Sequence, residues 1–262
     1  MTKKNQMWTF SHEETEQLGA TTDYRYIGAN PNNYVRFNNE LWRIIGVFDT
    51  DDGTGKIEKR IKIVRNESIG DYAWNSDYSN EWSTATLNTI LNTGSYYTNV
   101  TDTAKEMIEN TKWYLGAINA YGGVPVSMSY ACERGTEVYS GNSTNWLGKV
   151  GLIYPSDYGY ATSGGSTTGK SSCVSKAMYD WSDSSYSDCK NNDWLFNSIN
   201  YWLLSSQTSD GYGVFLVNSN GAVTIPYVYN AFGVRPTVYL KSTIKITSGT
   251  GSSTDPFILA QS

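Results

Sequence analysis

Apolar and polar residues first alternate at Tyr34-Val35-Arg36-Phe37, which marks a strand. The polar Asn38-Asn39 pair supplies a turn, and residues 40–48 supply the returning strand. Ile61-Lys62-Ile63-Val64 predicts a third strand after an Asp/Gly loop, so the chain opens antiparallel. The period then lengthens. Leu87, Ile90 and Leu91 share one face of a helix that Ser83 is placed to cap, and Thr103 with Glu106 makes a capping box ahead of Met107 and Ile108. Residues 112–115 and 150–154 read as strands and residues 158–172 as a Gly/Ser/Thr loop. Strand character returns at 201–204, 214–217 and 234–240, with Asn220-Gly221 as a turn able to take positive φ. Residues 244–247 and 257–259 predict a terminal pair. Without a strict repeat or βαβ alternation, the predicted class is α+β.

Residues 1–23 are polar and aperiodic, which predicts an N-terminal tail or short docked arm before a single domain over 24–262. No run of about twenty apolar residues is present, and the first 22 residues lack the apolar core of a signal peptide. Export would therefore rest on a leader or anchor outside this sequence, and membrane association on such a segment alone.

Charge narrows the partners. The net charge of −5 and the balance of 39% hydrophobic to 17% charged residues offer no basic field for phosphates, which argues against nucleic acid. The 9 Trp and 21 Tyr put contact chemistry on aromatic groups instead. Cys173 and Cys189 bracket a Ser/Asp/Tyr-rich stretch that one disulfide would close in an oxidising compartment, leaving Cys132 free; the alternative is three reduced thiols.

Two motifs match known patterns and fail on context. Gly164 to Ser171 satisfies the phosphate-loop pattern, yet the preceding strand ends too early and no parallel sheet is predicted. Asp49-Thr50-Asp51-Asp52-Gly53 opens like a calcium loop, but its glycine is one place early and its twelfth position is Arg60. The single histidine, His12, sits beside Glu13 and Glu14 in the polar segment and gives no placed base for a nucleophilic hydrolase. No cofactor, metal or catalytic set is predicted.

Residues 208–234 carry the most information. Phe215 and Val217 share one strand face, and Val223 and Val228 serve as anchors. Tyr212, Leu216, Ala222, Thr224, Ile225, Pro226, Tyr227, Tyr229 and Phe232 then fall to loops or the other face. Exposed together they would form a binding surface; the alternative is a second core layer.

Three runs carry a resemblance. Tyr201-Trp202-Leu203-Leu204-Ser205, the stretch from Val214 through Asn220-Gly221 to Val223, and Gly233-Val234-Arg235-Pro236-Thr237-Val238-Tyr239-Leu240 resemble the C-terminal half of diversity-generating-retroelement variable proteins. The upstream runs Asn30 to Val47 and Tyr154-Pro155-Ser156-Asp157-Tyr158-Gly159-Tyr160 look like surface proteins of gut bacteria with the same module. The resemblance implies a C-type-lectin-like fold related to formylglycine-generating enzymes. It also implies side chains diversified by adenine mutagenesis of asparagine codons, which cannot yield Trp, Met, Gln, Lys or Glu. None of these five occurs in residues 208–234.

The resemblance carries the nine residues above, with Tyr201, over as ligand-binding positions. The sugar-binding triplets of calcium-dependent lectins and the paired reactive cysteines of the enzymes have no match, so calcium-mediated sugar binding and catalysis do not transfer with the fold. The expected protein is non-catalytic and displayed outside the cell or on its surface, recognising a protein or glycan on a cell or phage. The alternative is a structural pilus- or envelope-associated subunit.

Overall fold

The structure is a computed structural model that describes residues 7–119 and 124–261. Residues 1–6 of the expected tail lie outside the described residues. The rest of that segment forms β1 (Met7–His12), which pairs antiparallel with β2 (Thr21–Tyr26). Its polar sequence hides this role because most of β1 is exposed and its core contacts come from residues far along the chain.

β3 (Tyr34–Phe37) and β4 (Glu40–Asp51) form the expected hairpin, with φ of 53° at Asn38 and 60° at Asn39. Asparagine tolerates this left-handed region, which a two-residue hairpin turn requires at both positions. β5 (Ile57–Arg65) follows along the other edge of β4. β2 also pairs with β4, at Gly46, where any Cβ would collide with the Tyr24 carbonyl.

After β6 (Asp71–Ala73) come α1 (Thr86–Asn92), α2 (Ser95–Thr98) and α3 (Asp102–Met107). The caps differ from expectation. A 3₁₀ turn over Trp82–Thr84 intervenes, Glu81 rather than Ser83 accepts its amide, and α1 has no side-chain cap. Thr101, not Thr103, is the cap and accepts from the Ala104 amide, so α3 starts two residues earlier than the expected box places it.

β7 (Thr111–Tyr114), α4 (Val126–Glu133), β8 (Asn145–Gly148) and β9 (Val150–Gly151) follow, with β7 and β8 paired. The strand expected over 150–154 stops early because Pro155 opens α5 (Pro155–Ala161), the first-turn position where its missing amide costs nothing. The loop expected over 158–172 is thus partly helical, ending in α6 (Lys170–Ser175). α7 (Ser187–Asn191) leads to β10 (Tyr201–Ser206), β11 (Val214–Val217), β12 (Val223–Thr224), β13 (Ala231–Gly233), β14 (Thr237–Tyr239), β15 (Ile244–Ser248) and β16 (Phe257–Gln261).

The class is α+β, with two main sheets. The larger runs β15-β16-β3-β4-β5-β14-β9 with β2 and β1 joined at β4, and the smaller runs β12-β11-β10-β13-β6. One hydrophobic core joins them, centred on Trp42, Trp74, Trp113, Trp181 and Trp202. The terminal pair forms as expected, β15 antiparallel to β16.

Cys173 and Cys189 are bonded and buried, while Cys132 is free and half-buried. The bond fastens α6 to α7. Reduction is expected to cost about 3 kcal/mol through the denatured chain. Chemical denaturation with and without reductant checks this, and non-reducing peptide mapping should find only this link.

Candidate functional site

The smaller sheet carries the candidate surface. β10 and β11 are buried along their whole length, so this sheet has no solvent face at its centre. Three expected surface positions are therefore corrected. Tyr201 is buried, its hydroxyl donating to the Leu195 carbonyl at 3.1 Å. Leu216 packs in the core, because alternation places a residue outward only where one side of a sheet is wet. Ala222 is buried beside the Asn218–Gly221 turn, where Asn218 Oδ1 accepts from its amide at 3.0 Å and Gly221 takes φ of 85°.

Beyond β12 the chain returns along β11. The Val228 amide donates to the Tyr212 carbonyl at 2.9 Å, and the Asn75 amide donates to the Val228 carbonyl at 3.1 Å. This pins Val228 inward as a fully buried anchor and turns its neighbours out. Tyr227 is 47% exposed, Tyr229 44% and Tyr212 49%. The rings of Tyr227 and Tyr229 stack at 5.6 Å between centroids, and Tyr229 meets Tyr78 at 5.0 Å.

Asn80 holds these loops together. Its side-chain amide donates to the carbonyls of Gln207, Asp210 and Gly213, while Asn142 donates to its Oδ1 at 2.7 Å. Asn80 thus ties the Tyr78-bearing loop to the Tyr212-bearing one, and Tyr78, Tyr227 and Tyr229 are in ring contact nearby.

Thr224, Ile225 and Pro226 are half-buried, and Ile225 packs against the core. Phe232 is also half-buried, edge-on to Trp202. It lines a groove of about 600 Å³ with Ser68, Asp71, Ile199, Asn200 and Ser219, to which none of the tyrosines contributes.

Tyr78, missed in the sequence, is the most exposed of these tyrosines at 60% and has φ of 54°. A bulky residue in the left-handed region is strained, and such strain gathers at functional positions. The turn-forming Asn75-Ser76-Asp77 run could have flagged this loop, but nothing in it pointed to the ring. Tyr78→Asn is expected to raise stability by roughly 0.5–1 kcal/mol, since asparagine relieves the backbone. Urea denaturation checks this; a loss instead would mean that the ring's packing on Tyr229 outweighs the strain.

A second cluster is a charge centre between the larger sheet and the α4–α5 pair. Asp157 accepts from Arg25 at 2.9 Å, from Lys62 at 2.5 Å and from the Tyr154 amide at 2.9 Å. Arg25 also donates to Asp23, which accepts from His12 at 3.0 Å. Glu133 accepts from Arg134 and Ser156. All of these charged residues are buried except His12, whose side chain is nearly so.

Burial pulls the Lys62 ammonium down to about 8 against the pull of Asp157, and burial pushes the Glu133 carboxyl up to about 7. For Asp23, burial is outweighed by Arg25 and His12, and its carboxyl falls to about 2. His12 is thus no tail residue: it stacks on Tyr130 at 3.6 Å, and burial lowers its pKa. Lys62, Asp157 and Glu133 are fully buried at the middle of this centre, while His12 at its edge also lines a surface groove with Thr21, Tyr24, Asp49 and Lys59.

The two matching motifs are filled from within. In the phosphate-loop-like segment, Gly164 and Gly169 bridge antiparallel, and the amides of Thr167 and Thr168 donate to Asp188 Oδ2 at 2.7 and 2.9 Å. A carboxylate of the chain occupies the anion position. In the calcium-like turn, Asp51 Oδ1 accepts from the Gly53 and Gly55 amides, and Asp52 accepts from Thr54. Among the described residues no group of three or more His, Cys, Asp or Glu is placed to hold a metal.

The chain is thus an α+β protein with a buried ionic centre and a group of exposed tyrosines. Residues 58–242, more than half of it, match the family described as Domain of unknown function (DUF6273), and the chain belongs to that family. No curated protein and no solved structure matches it.

Proposed function

We propose that this protein is a displayed, non-catalytic ligand-binding protein on a C-type-lectin-like scaffold, and that the tyrosine group is its recognition face. The observation that carries the reading is the set of four exposed tyrosines, Tyr78, Tyr212, Tyr227 and Tyr229, on loops tied together by the buried Asn80 side chain and by the backbone bonds of Val228. Tyrosine offers broad contact area with few rotors to freeze, and a pre-set backbone lowers the ordering cost of binding.

The buried disulfide supports an oxidising, extracellular or surface location. Under retroelement diversification the varying positions shrink to Tyr212, Thr224, Ile225, Pro226, Tyr227, Tyr229 and Phe232, since Tyr201, Leu216 and Ala222 belong to the core. A reverse-transcriptase gene with an adenine-variant template repeat beside the coding sequence would support that origin, and its absence would remove it.

The binding test compares the parent with a variant carrying Tyr212→Ser, Tyr227→Ser and Tyr229→Ser on arrays of gut bacterial surfaces, phage proteins and glycans. With circular dichroism and melting unchanged, the variant is expected to lose the parent's ligands. A reproducible ligand held equally by both would place recognition elsewhere.

A further inference from the structure

The four tyrosines are set in segments that contain no cation. Residues 66–104, 135–148 and 191–234 carry neither Lys nor Arg, although the chain has 20. They do carry acids next to these tyrosines in the chain. Asp77 precedes Tyr78 and is exposed, and Asp210 Oδ1 accepts from the Tyr212 amide at 2.8 Å.

The rest of the molecule uses its aromatic faces differently. Arg43 lies over Tyr34 at 4.2 Å, Arg134 over Tyr130 at 3.6 Å and Lys170 over Phe10 at 4.1 Å. Among the described residues no cation lies over Tyr78, Tyr212, Tyr227 or Tyr229. These π-faces and the neighbouring carboxylates are thus left without the cation that their chemistry attracts.

We infer that the face takes an arginine-bearing segment of a partner protein, an inference that rests on the recognition face proposed above. A guanidinium suits it better than an ammonium. Its plane stacks on a tyrosine ring, and its fork engages a carboxylate through two parallel hydrogen bonds. The acidic surroundings disfavour nucleic acid and acidic peptides by repulsion.

The experiment is selection of short random peptides displayed on phage against the disulfide-bonded protein. Counter-selection uses the Tyr227→Ser/Tyr229→Ser variant, whose charge is unchanged, so polycations drawn only by the net charge are removed. Enriched peptides are expected to carry arginine. Their binding should weaken about tenfold in Asp77→Asn/Asp210→Asn, as for loss of one partly desolvated charge contact. It should also weaken as salt rises.

Peptides that depend on the tyrosines yet contain no arginine would overturn the inference and leave the recognition face standing. If counter-selection removes every peptide enriched on the parent, so that parent and tyrosine variant bind the same sequences, both are overturned. If no peptide is enriched while the surface arrays yield a tyrosine-dependent glycan, the arginine partner is again overturned and the face retained.

Discussion

Asp157→Ala is expected to destabilise the protein by about 3–5 kcal/mol, a large share of the roughly 5–15 kcal/mol that holds a typical domain folded. The carboxylate is the only group bonded to both Arg25 and Lys62 among the described residues. Its removal leaves a guanidinium with one remaining carboxylate partner and an ammonium with none, both cut off from water. Asp157→Asn should cost less, because its amide oxygen still accepts one of those bonds. Urea denaturation of the two variants checks the order, and equal small losses would mean that water reaches the centre.

The same centre sets an acid limit. The folded-state pKa of Asp23 lies below its unfolded value, and burial at Asp157 is likewise outweighed by Lys62 and Arg25. At these two carboxylates the unfolded chain therefore binds protons first as pH falls, whereas Glu133, raised by burial to about 7, takes its proton in the folded chain first and acts in the opposite sense at milder pH. The stabilisation from the two carboxylates is complete above about pH 4 and is lost progressively toward about pH 2. His12 adds in the same direction as Asp23 and Asp157 at milder pH, since its lowered pKa makes the unfolded chain take up its proton first.

Local chemistry was legible in the sequence wherever the backbone alone decides. The Asn38-Asn39 turn, the Gly221 turn and the face shared by Leu87 and Leu91 each follow from one residue type or one period. Lys62 shows where that logic stops. In Ile61-Lys62-Ile63 alternation reads the lysine as solvated, yet its partner Asp157 lies 95 residues away and draws it inside. His12 fails for the same reason, since Tyr130 gives it a core environment. The candidate face was half legible. Tyr212, Tyr227 and Tyr229 were placed outward from the inward anchor Val228, while Tyr201 and Leu216 were misplaced because the centre of their sheet is covered on both sides.

That division between core and face predicts a sharp contrast along a few residues. Phe215 is buried at the centre of β11, so Phe215→Ala is expected to cost about 3–5 kcal/mol, the transfer loss plus the cavity left in a packed interior. Val228→Ala should cost roughly 1–3 kcal/mol, fewer methyl groups being removed. Val228 also holds the turn between the tyrosines, so this smaller loss should loosen the face as well. Tyr227→Ala and Tyr229→Ala, with rings nearly half exposed, should each stay within about 1 kcal/mol. Denaturant midpoints of the four variants at constant slope decide the matter. Comparable losses at all four would mean that the tyrosines are structural and that the protein does its work through another surface.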